Sequence, residues 1–229
     1  MTRIRSVIAI AVALLLSSCT TAQKAALDPT AVYRASIYTS AVYQYDHVRE
    51  LRPLVATDGK VLVVSMRTVA LPKGTLTLSG DMWVTGVPEV RERCRAFRGD
   101  VVERLHELLG LPPAERGEPA FFSTMRVSAT DIFRPSPDPA IDTRYPCDDE
   151  KSESCGNVFP ENATPAHRAW IARSTLGLHR WPGGYPWTHL GYTYDWAGGE
   201  SAYGASEYVI RCGSQVEVID AVSYVEYCR

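Results

Sequence analysis

Hydrophobic and polar positions alternate or recur over short stretches, and each stretch predicts an element. Residues 31–45 (AVYRASIYTSAVYQY) are rich in Tyr, Val and Ile and predict a strand. The Asp58-Gly59 dipeptide marks a turn, after which Val61 to Arg67 (VLVVSMR) predicts a buried strand. Pro72, Lys73 and Gly74 form the next turn. Thr75 to Thr85 (TLTLSGDMWVT) alternates well enough for a strand, or a bulged pair broken at Gly80. The helical period is clearest over 88–109, where Val90, Cys94, Phe97, Val101, Leu105 and Leu108 recur every three or four positions. Gly110 and Pro112-Pro113 stop that helix, and Gly99 is a point of interruption or kinking within it.

Residues 121–133 predict a further strand, and 134–163 carry five prolines and no period. A loop of that length inside a compact domain is usually functional or flexible. Thr164-Pro165 opens a second, shorter helix to about residue 174, with Thr as N-cap and Pro at the first helical position. The last third, 185–228, predicts strands: a hairpin of Tyr208–Cys212 and Val216–Ile219 turning at Gly213-Ser214, then a strand from Val222 to Cys228. The predicted class is α+β, mostly antiparallel sheet with one long and one short helix, in a single domain over 31–229.

Arg3 and Arg5 precede an apolar run, Ser6 to Leu16, that is too short to span a bilayer. The run ends in Leu16-Ser17-Ser18-Cys19, which resembles the lipobox of bacterial lipoprotein precursors. The resemblance covers residues 1–19. It implies a signal peptide removed after Ser18, and diacylglycerol and an acyl chain such as palmitate on Cys19. Thr20 follows the cysteine, where an aspartate would favour the inner membrane, so the resemblance implies an outer-membrane anchor facing the periplasm. Several acyl chains make such an anchor stable. Residues 19–30 are then the acylated cysteine and its polar tether.

Charge narrows the partners. The chain has 24 basic and 26 acidic side chains, net −2. Loss of residues 1–18 takes two arginines and no acids, leaving 22 against 26, net −4. A nucleic-acid binder needs a basic surface, so nucleic acid is excluded as a partner.

Of six cysteines, Cys19 is assigned to lipid. An oxidising compartment permits disulfides among Cys94, Cys147, Cys155, Cys212 and Cys228. The shortest loops pair Cys147 with Cys155 and Cys212 with Cys228. Cys94 is left as a buried small hydrophobe, with its pairing to Cys147 or Cys155 open. No CxxC and no HExxH motif occurs, so no metal or cofactor is expected.

The most distinctive segment is 181–196, WPGGYPWTHLGYTYDW, with six aromatics in sixteen residues. Trp181, Tyr185, Trp187, His189, Tyr192, Tyr194, Asp195 and Trp196 are the candidate ligand-binding residues. Aromatic faces stack on sugar C–H surfaces while His, Thr and Asp bond hydroxyls, and the competing reading is aromatic packing in a sheet core. A His189–Asp195 dyad would require a bend at Gly191, since six extended residues span about 20 Å. Ser206 lacks the flanking glycines of a nucleophile elbow. The Asp148-Asp149-Glu150 run lacks the spacing of a calcium loop. Glu207, Glu217, Asp220 and Glu226 would make a glycosidase pair only if two of them stand about 5–9 Å apart.

No catalytic residue is assigned. The functional expectation is a membrane-anchored envelope lipoprotein acting as a non-enzymatic binding module, for a protein partner or an envelope glycan, including an inhibitor or immunity-type role. The alternative is a peptidoglycan-acting envelope hydrolase. A hydrolase needs a cleft holding a raised-pKa carboxyl beside a second acid.

Overall fold

The structure, a computed structural model, describes residues 28–146, 158–161, 163–198 and 201–229. Cys19 and residues 20–27 of the tether lie outside the described residues. So do Cys147, Cys155 and the acidic run between them.

The class expected from the sequence is the one the chain adopts: a mostly antiparallel eight-stranded sheet with a few helices. The elements are helix α1 (Pro29–Thr39) and strands β1 (Lys60–Arg67), β2 (Gly74–Thr77) and β3 (Met82–Gly86). Helices α2 (Glu89–Cys94) and α3 (Val101–Leu108) follow, then β4 (Phe121–Ser128) and β5 (Ile132–Phe133). The chain ends with α4 (Pro165–Leu178), β6 (Tyr192–Tyr194), β7 (Tyr203–Ile210), β8 (Gln215–Ser223) and α5 (Tyr224–Tyr227).

The strand order is β2-β8-β4-β1-β3-β7-β5, with β6 also paired to β7. The predicted 208–219 hairpin therefore does not form, because β7 and β8 are not neighbours. Four inter-strand steps separate them, about 19 Å in a flat sheet. Five residue steps join Ile210 to Gln215, and even fully extended they span at most about 18 Å. Gly213, at a φ of 84°, turns the chain within that short link. The sheet must curl to let the strands connect. Leu78 holds the link in place, its N–H donating to Ser214 and its carbonyl accepting from Gly213, each at 2.9 Å.

The curl encloses the main core: Val61 and Val63 of β1, Val84 of β3, Met125 and Val127 of β4, Tyr208 and Ile210 of β7, and Val216 and Val218 of β8. The opposite face carries Val64, Phe122 and Ala205, which pack with Val90 and Cys94 of α2, Leu105 and Leu108 of α3, and Tyr227.

Residues 31–45 form no strand. Asp28 caps α1, accepting from the Thr30 N–H, with Pro29 at the first turn. Tyr33 and Ile37, one helical turn apart, are buried against Trp196. β-propensity reports fit to a pleated surface, and a helix face burying the same side chains overrides it. The long helix expected over 88–109 is two. Gly99 takes a φ of 78°, and Asp100 caps a fresh start at α3 by accepting from the Glu103 N–H. The helical period survives the break because both pieces face the same side of the sheet. α4 begins at its predicted Thr164 cap, which accepts from the His167 N–H, and runs on to Leu178.

The strand expected to end at Cys228 stops at Ser223, which caps the one-turn helix α5. That turn stacks Tyr227 on Phe122, with ring centroids 4.0 Å apart, and brings Cys228 to Cys94. The disulfide is Cys94–Cys228, not Cys212–Cys228, and Cys212 is an exposed free thiol. Loop length had favoured the nearer pairing. The packing of α2 against α5 decides for the distant one.

Candidate functional site

On the helix-bearing face of the sheet, register aligns Val64 of β1, Thr85 of β3 and Glu207 of β7 as successive cross-strand partners. Alternation along each strand places Met66 and Trp83 on the same face. These residues floor a cavity of about 300 Å³. Leu109, Gly110 and Leu111, just past α3, form one wall. Leu178 at the end of α4 and Tyr185, Pro186 and Trp187 form the other. Trp83 and Trp187 meet edge to face at 6.2 Å, and Tyr185 is partly open to solvent.

Glu207 is the one carboxylate among the described lining residues. It is 6% exposed, and its Oε1 has no hydrogen-bond partner among the described residues. Burial pushes its pKa up to about 8, and among the described residues no cation or hydrogen bond offsets the rise. The protonated form is therefore favoured near neutral pH. Leaving a buried polar group unpaired costs about 1–3 kcal/mol. Thr193 is engaged: its hydroxyl donates to the Leu108 carbonyl at 2.6 Å and accepts from the Ala205 N–H at 2.8 Å. Ser65 donates to the Trp83 carbonyl at 3.4 Å.

The 181–196 candidates do not form one exposed platform. Trp187, Tyr192 and Trp196 are buried, and of the six aromatics Trp181 and Tyr185 are exposed. Trp196 and Trp181 pack edge to face on Tyr33. Tyr185 and Trp187 line the Glu207 cavity, whereas Tyr192 and Tyr194 line a second cavity of about 260 Å³ with Arg49 and Tyr203. In that second cavity the Tyr192 hydroxyl donates to the His47 carbonyl at 2.9 Å, and the Tyr203 hydroxyl to the Glu50 carbonyl at 2.6 Å.

His189 and Asp195 do not make a dyad. Asp195 forms a two-point pair with Arg104, at 3.0 and 2.5 Å. His189, in a left-handed conformation at φ 62°, lies 3.8 Å from the Trp187 ring and stacks on His179 at 5.1 Å. Burial, and then the nearby His179, lower its pKa to about 4.

Three of the four acids weighed for a glycosidase pair lie outside the cavity that Glu207 lines. Glu217 faces Arg126 at 3.6 Å, Asp220 binds Lys73 at 2.9 Å, and Glu226 sits in the first turn of α5. Ser206 is buried, its hydroxyl accepting from the Arg52 N–H at 2.8 Å, while its own N–H donates to Glu89 at 3.1 Å.

Sequence reasoning missed Trp83, Thr85 and the Leu109–Leu111 wall as cavity residues. One signal pointed to Glu207. It is the single acid in YGASEYVI, a strand of otherwise small, apolar and aromatic residues that is almost wholly buried. Such a strand leaves an acid no route to water except a cavity.

Among the described residues, no group of three or more His, Cys, Asp or Glu is placed to hold a metal ion. No helix among them is long and apolar enough to cross a membrane. No protein-family model, no curated protein and no solved structure matches this chain.

Proposed function

We propose that this protein is a lipid-anchored bacterial envelope protein, probing its surroundings from the periplasmic face of the outer membrane as a binding module. The ligand is a protein partner or an envelope glycan, part of which enters the cavity above Glu207. The observation that carries this reading is the cavity itself: aromatic walls, an apolar floor and one buried carboxyl without a partner. Sites for small groups are typically mostly apolar clefts of roughly 300–1,000 Å³ with a few convergent polar groups. The lipobox-like segment at residues 16–19 supports the anchor.

A raised carboxyl in a cleft is also what an envelope hydrolase would need for its general acid. Among the described lining residues Glu207 has no second carboxylate beside it, which favours the binding reading over the hydrolase.

The test is co-sedimentation of the full chain with purified peptidoglycan sacculi, and capture of envelope proteins on the immobilised chain, each compared with Leu178→Trp, which fills the cavity wall. Retention that Leu178→Trp abolishes, without release of glycan fragments, supports the binding reading. Release of fragments, lost in Glu207→Gln, would put the hydrolase in its place.

A further inference from the structure

We infer that the cavity above Glu207 takes a primary alkylammonium group, with Glu207 as its counter-ion and Trp83, Trp187 and Tyr185 around its apolar stem. This inference rests on the binding reading above and names the chemistry of the group that enters.

The polar inventory of the cavity selects the ligand. A polyol needs several donors and acceptors, and the cavity offers few that are free. Thr193 is already doubly engaged, and Ser65 has a backbone partner. Thr85 adds one short hydroxyl beside Glu207, and among the lining side chains the fully buried polar atom without a partner is Oε1 of Glu207. The walls are aliphatic and aromatic: Val64, Met66, Leu109, Leu178, Phe122 and the three rings already named. A ligand that satisfies both parts has an apolar stem and one strong donor group.

Charge then chooses among donors. No Lys, Arg or His lines the cavity among the described residues, so a cation entering it meets no like charge there. A guanidinium carries five donors in a rigid fork and would leave most of them unpaired beside a single carboxylate. An ammonium carries three, on a compact head. One carboxylate can pair with it, and Trp83, Trp187 and Tyr185 line the space that its apolar stem would fill. Entry of the ammonium favours the ionised form of Glu207. The carboxyl proton leaves to solvent, and an ammonium–carboxylate pair remains.

Two sources present this group: a lysine-type side chain on a protein or peptide, and a small free amine. Titration of the full chain with hexylamine, with Nα-acetyl-lysine methylamide and with the uncharged hexan-1-ol distinguishes them. Binding is read by tryptophan fluorescence and by calorimetry in two buffers of different ionisation enthalpy. At pH 8.5 hexylamine is expected to bind at least tenfold more tightly than hexanol. Glu207→Gln is expected to erase that preference, bringing the amine and alcohol affinities together. Wild-type protein at pH 6.5 is expected to release close to one proton per amine bound and none per alcohol, a readout that needs no variant. Equal binding of the lysine derivative assigns the source to a side chain, and binding of hexylamine alone assigns it to a small amine.

Equal affinity for amine and alcohol, or a preference that survives Glu207→Gln, overturns the inference and leaves the binding reading standing. Failure of all three ligands also overturns it. The retention assay with Leu178→Trp then decides the binding reading separately.

Discussion

Thr85 and Glu207 stand directly opposite each other across β3 and β7, and both line the same cavity. A sheet partner that is a short hydroxyl leaves open space above the longer acid. Glu207 borders that space while staying 6% exposed, and its burial favours the protonated form near neutral pH.

The first prediction concerns stability as Glu207 titrates. An ordinary glutamate titrates at 4.5, and this one at about 8 in the fold. The folded state thus binds more protons than the unfolded state between those values. The stabilisation is fully present below pH 4.5 and is lost as pH rises through 8. The shift corresponds to at most on the order of 5 kcal/mol. Glu207→Gln removes this dependence. Chemical denaturation at pH 5 and pH 8.5 should show the variant gaining on wild type at the higher pH. A constant difference between the two would contradict the buried, unpaired state of the acid.

His189 acts in the opposite direction. Its pKa falls from 6.5 to about 4 on folding, so its contribution is present above pH 6.5 and lost as pH falls through 4. The loss is on the order of 3 kcal/mol. Between pH 4.5 and 6.5 the two groups oppose each other, and their joint effect is a plateau that declines above pH 6.5. In His189→Asn the plateau should tilt, with stability falling steadily from pH 4.5 upward. Asparagine suits the left-handed backbone at this position. Thermal melts across pH 4–8 check this.

Arg104 and Asp195 predict an asymmetry. The Asp195 side chain is 4% exposed, whereas that of Arg104 is 30% exposed. Arg104→Met strands a buried carboxylate, but Asp195→Asn leaves an arginine that water can reach. Breaking a buried pair costs about 3–5 kcal/mol when a charge is left behind. Arg104→Met should approach that range, and Asp195→Asn should cost less, by urea denaturation.

The disulfide gives a covalent prediction. Cys94 and Cys228 close a loop with a sequence separation of 134, which in the chain-entropy model is worth about 5 kcal/mol, and measured values run lower. The double variant Cys94→Ala, Cys228→Ala should lower the melting temperature markedly. Cys212→Ser should not, because that thiol is exposed and unbonded. Native alkylation followed by non-reducing peptide mapping should label Cys212 and recover the 94 and 228 peptides joined.

Gly204 shows how closely β6 and β7 are fitted near the cavity. A Cβ there would lie 2.1 Å from the Thr193 hydroxyl and 2.6 Å from the Leu108 carbonyl, the two atoms that hydrogen-bond each other. Gly204→Ala has no room without moving backbone. It should destabilise the protein by several kcal/mol, in the range of the larger single-residue effects of about 4 kcal/mol. It should also weaken ligand retention, since Thr193 lines the cavity.

Local chemistry determined much of this protein by itself. The Thr164 cap, the run Val61–Arg67, the helical period through Leu105 and Leu108 and the α+β class are all set by near neighbours along the chain. Period and capping depend on residues three or four positions apart, so they can be read from the sequence. Tertiary structure alone decided the rest. It made a helix of residues 29–39, because Tyr33 and Ile37 could be buried against Trp196. It split β7 from β8, because the curled sheet offered each a better neighbour than the other. It joined Cys94 to Cys228 across most of the domain. It also gathered Thr85, Trp83, Trp187 and Glu207 from three separate stretches of chain around one cavity. Burial, pairing and an unshared carboxyl are properties of what surrounds a residue in space, and sequence adjacency carries no record of that surrounding.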